Sequence, residues 1–276
     1  MTLTVILGLA AAVCWGAPDV WLAQAARRVG PFPVVFGSVL VGVTLIAPGA
    51  IFVDRPDWTL RGVLLAILLG ALTVCAYQIA FTAFRDGAVS VVAPIIACEG
   101  AVAALLAVAG GERVGVLLVA LLPVAVVGVV LAAIGEGGGR AGALPAVVAA
   151  LTWGVILALS APVAHDLGVY WGFLLIRASA LAWMVPIALR VDAARRAVVE
   201  PWRIAAWGLA DSAAYLAYVA AADRGPVALA GILIAQFATV AVVVGMVFLG
   251  ERLRPRQLIG VGLVIAAVSG IAAGGA

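Results

Sequence analysis

Residues 62–84 read Gly-Val-Leu-Leu-Ala-Ile-Leu-Leu-Gly-Ala-Leu-Thr-Val-Cys-Ala-Tyr-Gln-Ile-Ala-Phe-Thr-Ala-Phe, without one charged side chain. As a helix in water this stretch has almost no polar face to show. It suits a bilayer, whose hydrocarbon core of about 30 Å takes roughly 20 apolar helical residues per crossing. Cutting the rest of the chain at charges and at Gly/Pro turns gives nine more such runs, approximately 3–25, 32–53, 88–109, 114–134, 143–163, 170–190, 203–221, 226–249 and 256–274. The joins are short, so no loop can hold a soluble catalytic domain. The expected fold is all-α and integral to a membrane, with ten transmembrane helices.

Composition points the same way. The 276 residues are 66% hydrophobic and 11% charged, with a mean hydropathy of +1.27, whereas a soluble chain is about half apolar and about one quarter charged. These figures exclude a water-soluble fold, a disordered chain, a collagen-like repeat and a nucleic-acid partner. The net charge of +3 comes from sixteen cations, all arginine, and their place is at membrane borders. Cys14, Cys75 and Cys98 lie in apolar runs and form no metal or disulfide spacing, so neither a metal nor any other cofactor is expected. With no basic residue ahead of it, the first run reads as a retained span rather than a signal peptide.

The two halves of the chain repeat each other. Trp15-Gly16 recurs as Trp153-Gly154, Tyr77 as Tyr215 and Gly87 as Gly225, all at one constant offset. Gly111-Glu112-Arg113 recurs as Gly250-Glu251-Arg252, a single position further on. The Gly-rich stretch Gly135–Gly142, with Glu136 and Arg140, reads as the linker, dividing the chain into repeats 1–138 and 139–276. Five spans are an odd number, so the second repeat enters the membrane from the opposite side. Inverted repeats of this kind build many secondary transporters, with the substrate near the midplane between them.

On these residues the chain resembles the drug/metabolite transporter superfamily, in particular its ten-helix EamA-like exporters. The resemblance rests on Trp15-Gly16 and Trp153-Gly154, Arg177, Ala93-Pro94 with Glu99, and the two Gly-Glu-Arg triplets, and it spans the whole chain. Relatives often carry Glu-Pro in the fourth helix where this chain has Glu99-Gly100, and Gly37 stands where a first-half counterpart of Arg177 would be. The resemblance implies a multi-pass protein of the cell membrane with its termini on the cytoplasmic side. The arginines say otherwise: eleven flank the loops on one face and four, Arg55, Arg61, Arg113 and Arg224, lie on the face of the termini, which places the termini outside.

Ionisable groups at membrane depth are costly and by default functional. Glu99 sits midway along its run, five residues after Pro94, where the helix ladder is weakened; it can bind an ammonium group or carry a proton. Asp211 shares a helical face with Trp207, Tyr215 and Tyr218, an acid among aromatics that suits a cationic or zwitterionic ligand. The matching face of the third run carries Thr73, Tyr77 and Phe84. Arg177 is the one arginine clearly inside a run, placed to neutralise Asp211 or Glu99 or to hold a substrate carboxylate. Asp19, after Pro18, reads more readily as a headgroup-level residue than as the lining of a cavity mouth.

Trp15 and Trp153 occupy equivalent places and suit either gates or packing wedges, and Gln78, Gln236, Thr239 and Ser160 are neutral candidates for the substrate or for interhelical hydrogen bonds. Trp21, Trp58, Trp171 and Trp202 read as interfacial anchors. The Gly-Glu-Arg turns read as satisfying helix ends rather than as chemistry. No Ser-x-x-Lys, His-Glu-x-x-His, P-loop or Gly-x-Ser-x-Gly signature is present, so an enzyme or an ATP-driven pump is not expected.

The combined expectation is a secondary transporter exporting small metabolites, such as amino acids or related amphipathic compounds, by alternating access. Its substrate-binding residues are expected among Glu99, Asp211, Arg177, Tyr77, Tyr215, Tyr218, Trp15, Trp153, Gln78 and Gln236. Its partners are a small molecule, the bilayer and, as a candidate coupling ion, the proton. The alternatives are a multidrug exporter of lipophilic cations and, further off, a membrane-embedded enzyme acting on lipid phosphates.

Overall fold

The computed structural model describes residues 2–111, 139–225 and 227–274, with only scattered positions between 112 and 138. The fifth expected run, 114–134, therefore lies largely outside the described residues, as do Glu112, Arg113 and Glu136. Most of the rest is helical, as segments must be that close their own backbone hydrogen bonds where no water is at hand. In chain order the helices are α1 (Thr2–Gly16), α2 (Asp19–Val29), α3 (Pro31–Ile46), α4 (Leu60–Asp86), α5 (Val89–Ile96), α6 (Glu99–Ala109), α7 (Gly139–Leu167), α8 (Val169–Arg190), α9 (Ala193–Ala197), α10 (Pro201–Arg224), α11 (Val227–Ile234), α12 (Phe237–Phe248) and α13 (Pro255–Gly274). Among the described residues six helices are long and apolar enough to cross a membrane, or seven if α1 and α2, bent by 40°, form one span.

Three runs expected as continuous helices are interrupted partway. The first breaks between α1 and α2 at Ala17–Pro18, the fourth between α5 and α6 at Ala97–Cys98, and the ninth between α11 and α12 at Ala235–Gln236. Pro18 accounts for the first break and Pro94, which cannot donate to the carbonyl of Ser90, loosens the second. The third has no proline, yet its turn is wound in the same way. Cys98 N–H donates to the Ile95 carbonyl and Gly100 N–H to that of Ala97. At the equivalent positions of the second half, Gln236 donates to Leu233 and Ala238 to Ala235. A tight turn without a local cause must be held from outside, and its neighbours are described below.

The repetition extends to helix ends. Helices α5 and α11 start and stop at equivalent positions, and α2 and α7 end at the equivalent Val29 and Leu167. The next residues, Gly30 and Gly168, both have positive φ, 91° and 75°. Only glycine takes such a turn without strain. The register that these two glycines set puts Val39, rather than Gly37, in the place of Arg177.

The halves interleave. The principal packing runs between them: α4 against α7 and α8, α1 and α3 against α10, α5 against α12, and α6 against α7 and α11. Corresponding helices run in opposite directions. At one end, Arg27 of α2 donates to the carbonyls of Phe84, Arg85 and Gly87, and Gly142 of α7 lies against that same Gly87. Helix α7 thus begins where α2 finishes, while α1 begins at the other end, its Thr4 packed on Gly225 past the close of α10. The helix-end role expected of a Gly-Glu-Arg turn can be followed at Glu251. Its two carboxylate oxygens accept from the amides of Val89 and Ser90 at 2.8 Å, capping the start of α5 from the opposite half. Its counterpart Glu112 lies outside the described residues.

Aromatic pairs mark both ends. Trp21 packs edge-on to Trp202 at 5.8 Å, and Trp58 to Trp171 at 5.6 Å. All but Trp171 are substantially exposed, as side chains at the headgroup level would be.

Candidate functional site

The three breaks converge. Asp19 is the first residue of α2, Glu99 the first of α6 and Phe237 the first of α12, and all three line one cavity of about 400 Å³, its opening included. Its walls are aromatic: Trp15, Tyr77, Trp153 and Trp207 surround the acids, with Phe81 and Phe84 continuing the α4 side. Ring centroids lie 4.7 Å apart for Tyr77 and Trp153, 5.4 Å for Tyr77 and Trp207, and 6.3 Å for Trp15 and Trp153. The Glu99 side chain is 4% exposed and finds no hydrogen-bond donor among the described residues. Asp19, also 4% exposed, has one long contact at 3.4 Å from the Trp207 indole N–H. The two acids lie within electrostatic reach of each other.

The Trp-Gly pairs explain how the breaks are held. A Cβ on Gly16 would overlap the carbonyl oxygen of Phe237, and one on Gly154 would overlap Val102 and stand 3.0 Å from the carbonyl of Glu99. Each glycine therefore lets a helix of one half press on the restart of the broken helix in the other. The tryptophan beside it turns into the cavity. Between the two broken helices the approach is as close, for a Cβ on Gly100 would fall on the Gly231 carbonyl oxygen. Here is the external support that the break without a proline requires. It also accounts for glycine at position 100, since proline has a ring where Gly231 leaves no room.

Behind the aromatic wall lies a closed ionic cluster. Arg177 and Asp211 are each 2% exposed, with Nη2 and Oδ2 2.9 Å apart. Asp211 also accepts from the Trp15 indole N–H at 2.8 Å and from the Tyr77 hydroxyl. Arg177 in turn donates from Nη1 to that hydroxyl at 2.8 Å. The guanidinium lies 4.7 Å from the Tyr215 ring centroid, 5.4 Å from Tyr77 and 5.6 Å from Phe173. Its Nε has no acceptor among the described residues, and these ring faces stand in for one. Ser160 donates to the Ile156 carbonyl at 2.7 Å, which leaves the Tyr215 hydroxyl to donate to Ser160 at 2.6 Å. A buried pair needs such surroundings, because desolvation of both charges works against it.

The expected site residues thus fall into three groups. Trp15, Tyr77, Glu99 and Trp153 line the cavity. Asp211, Arg177 and Tyr215 form the cluster behind it, joined to the wall through Tyr77 and Trp15. Tyr218 donates to the Leu157 carbonyl, Gln236 accepts from Thr239 and Ser269 beside its break, and Gln78 lies on α4; none of these three lines the cavity. Asp19, which reads more readily as an exposed border residue, is buried inside the fold and lines the cavity. The sequence holds a signal for it: an acid directly after a proline in an apolar run begins a helix, where its charge meets the positive end. Phe237 carries no such signal, and only its place at the third break reveals it.

A family model described as the EamA-like transporter family matches residues 2–134 and again residues 140–273. One solved crystal structure, 18% identical, covers 98% of this chain and 96% of its own length with a TM-score of 0.65, which speaks for a shared fold. No curated protein sequence matches. Two copies of one unit, helices suited to a bilayer and a family match over nearly the whole length lead to one assignment: the chain belongs to the EamA-like transporter family and is a multi-pass membrane transporter of the drug/metabolite transporter superfamily.

Proposed function

We propose that this protein exports small amphipathic metabolites of the amino-acid and amine kind across the cell membrane. It crosses ten times, as two inverted five-helix repeats, 1–138 and 139–276, that rock against each other to expose the cavity to either side. One observation carries this reading: the cavity lies where both halves meet, bounded by a helix restart from each and by the tryptophan of each Trp-Gly pair. Rocking two such halves re-aims the walls without dismantling either one.

In this scheme Glu99 meets the cationic part of the substrate or a coupling proton, and Tyr77, Trp15 and Trp153 hold its apolar body. Arg177 is the counter-charge that keeps Asp211, Tyr77 and Trp15 in register, with Tyr215 and Tyr218 bracing them. Reconstitution into liposomes with a metabolite panel, following both uptake and lumenal pH, tests the scheme. Wild type should move at least one small amphipathic compound down an imposed gradient. The variant Glu99→Gln should lose about tenfold or more of that flux, while Phe237→Leu should keep most of it. Absence of flux for every compound, or equal flux in wild type and Glu99→Gln, would sink the scheme.

The multidrug reading, a carrier of lipophilic cations, draws support from the same two acids in an aromatic chamber. The charge inventory of that chamber bears directly on the choice of substrate.

A further inference from the structure

From the charge inventory of the cavity we infer that its ligand is an organic monocation, an ammonium on a small apolar body without a carboxylate. The inference rests on the transporter reading and narrows it.

The cavity offers two carboxyl groups, Asp19 and Glu99, each nine-tenths or more buried, and Glu99 has no hydrogen-bond donor among the described residues. An ionised carboxylate held away from water without a partner is costly, so the place calls for an incoming positive group. No cationic side chain among the described residues lines the same space. Arg177 does not line the cavity, and its charge is already met by Asp211 at 2.9 Å. A helix start can hold an anion through free amides, but the starts of α2 and α6 at this cavity are themselves the acids Asp19 and Glu99. At α12 the amides of Ala238 and Thr239 are spent on the carbonyls of Ala235 and Gln236. At α6 the Gly100 and Val102 amides are spent on Ala97 and Cys98. Trp15, Trp153 and Trp207 line the cavity with π surfaces that attract a cation and repel a carboxylate. A zwitterion would bring its ammonium to the acids and leave its carboxylate buried against rings and carboxyl groups.

Three probes with one ring separate the classes: 2-phenylethylamine (cation), L-phenylalanine (zwitterion) and 3-phenylpropionate (anion). Binding to the purified full-length protein in detergent is measured at neutral pH by calorimetry, with uptake into proteoliposomes in parallel. The amine should bind about tenfold or more tightly than phenylalanine, and phenylpropionate should not compete. Glu99→Gln and Asp19→Asn should each weaken the amine by about tenfold or more, and Glu99→Asp should restore part of the loss. The wild-type comparison stands even if a variant misfolds. Phenylalanine binding as tightly as the amine, no binding of the amine, or an unchanged amine affinity in a folded Glu99→Gln would overturn the inference. Its failure is distinct from failure of the transporter reading. Flux of phenylalanine with no preference for the amine refutes only the charge preference, whereas tight amine binding without flux of any compound refutes only transport.

Discussion

At the restart of its broken helix the first half carries Glu99, and at the equivalent position the second half carries Phe237. Both residues line the same cavity, both are pressed by the glycine of the opposite Trp-Gly pair, and both follow a turn with the same hydrogen bonds. One is an acid and the other a hydrocarbon ring. The second half is unlike the first in the opposite sense behind the wall: Arg177 and Asp211 stand where the first half has Val39 and Thr73. Backbone-level features, namely the breaks of the fourth and ninth runs, the glycine approaches and helix ends, recur between the halves. The charged side chains at the centre of the bundle, Glu99, Arg177 and Asp211, do not. Duplication has kept the frame twofold while the chemistry became one-sided.

Removing a one-sided charge should therefore hurt more than removing bulk at its twofold counterpart. Arg177→Met leaves Asp211 buried and unpaired and should cost about 3–5 kcal/mol in denaturant unfolding in micelles, with Val39→Ala costing clearly less. A loss of the same size at both positions would break the contrast. Next, the frame itself should respond evenly. Gly16→Ala and Gly154→Ala each force a methyl onto the restart of the opposite broken helix and should each lose about 1–3 kcal/mol, close to one another. A large loss at one and none at the other would show that the two Trp-Gly pairs do different work.

The smallest effect concerns the membrane borders, where the twofold frame survives with its charges exchanged. Arg28 pairs with Glu200 at 2.6 Å at one end, and Asp166, the equivalent of Arg28 in the second half, approaches Arg61 at 3.8 Å at the other. Burial pushes the Glu200 carboxyl up, but hydrogen bonds from Arg28 and Arg203 outweigh it and hold the group below the ordinary carboxylate value. A folded value below the unfolded one gives stability that is complete above the unfolded value and is lost as pH falls through the folded value. Glu200→Gln should therefore cost less than about 1 kcal/mol at neutral pH, and the difference from wild type should vanish on acidification. Arg61→Gln should show still less. A difference that persists unchanged into acid would show that Glu200 acts by shape rather than charge.

How far the residues alone lead follows from the same contrast. The membrane-spanning character, the repeat and the family are legible because hydropathy and recurrence at a constant offset are properties of the chain itself. The acids at membrane depth are legible because charge in hydrocarbon is conspicuous; hence Glu99, Asp211 and Arg177. Which of them face open space cannot be read that way. Asp211 and Glu99 look alike in sequence, and only the placement of Trp15 and Tyr77 separates a sealed ion pair from an unpaired carboxyl. The break at Ala235–Gln236 is equally hidden, because its cause is the glycine contact from α1 and not a residue of its own. The cavity-lining place of Asp19 is hidden too, because it depends on the bend at Pro18 and on rings from the other half that close over it.

The crossing of Gly100 and Gly231 has a mechanical consequence. Two rods that touch through bare backbone have no teeth to mesh, so turning one upon the other strips few contacts and forces no side chain past another. Such a bearing at the heart of the bundle would serve the proposed rocking of the two halves as a fulcrum. Its smoothness depends on the absence of a methyl group at Gly100.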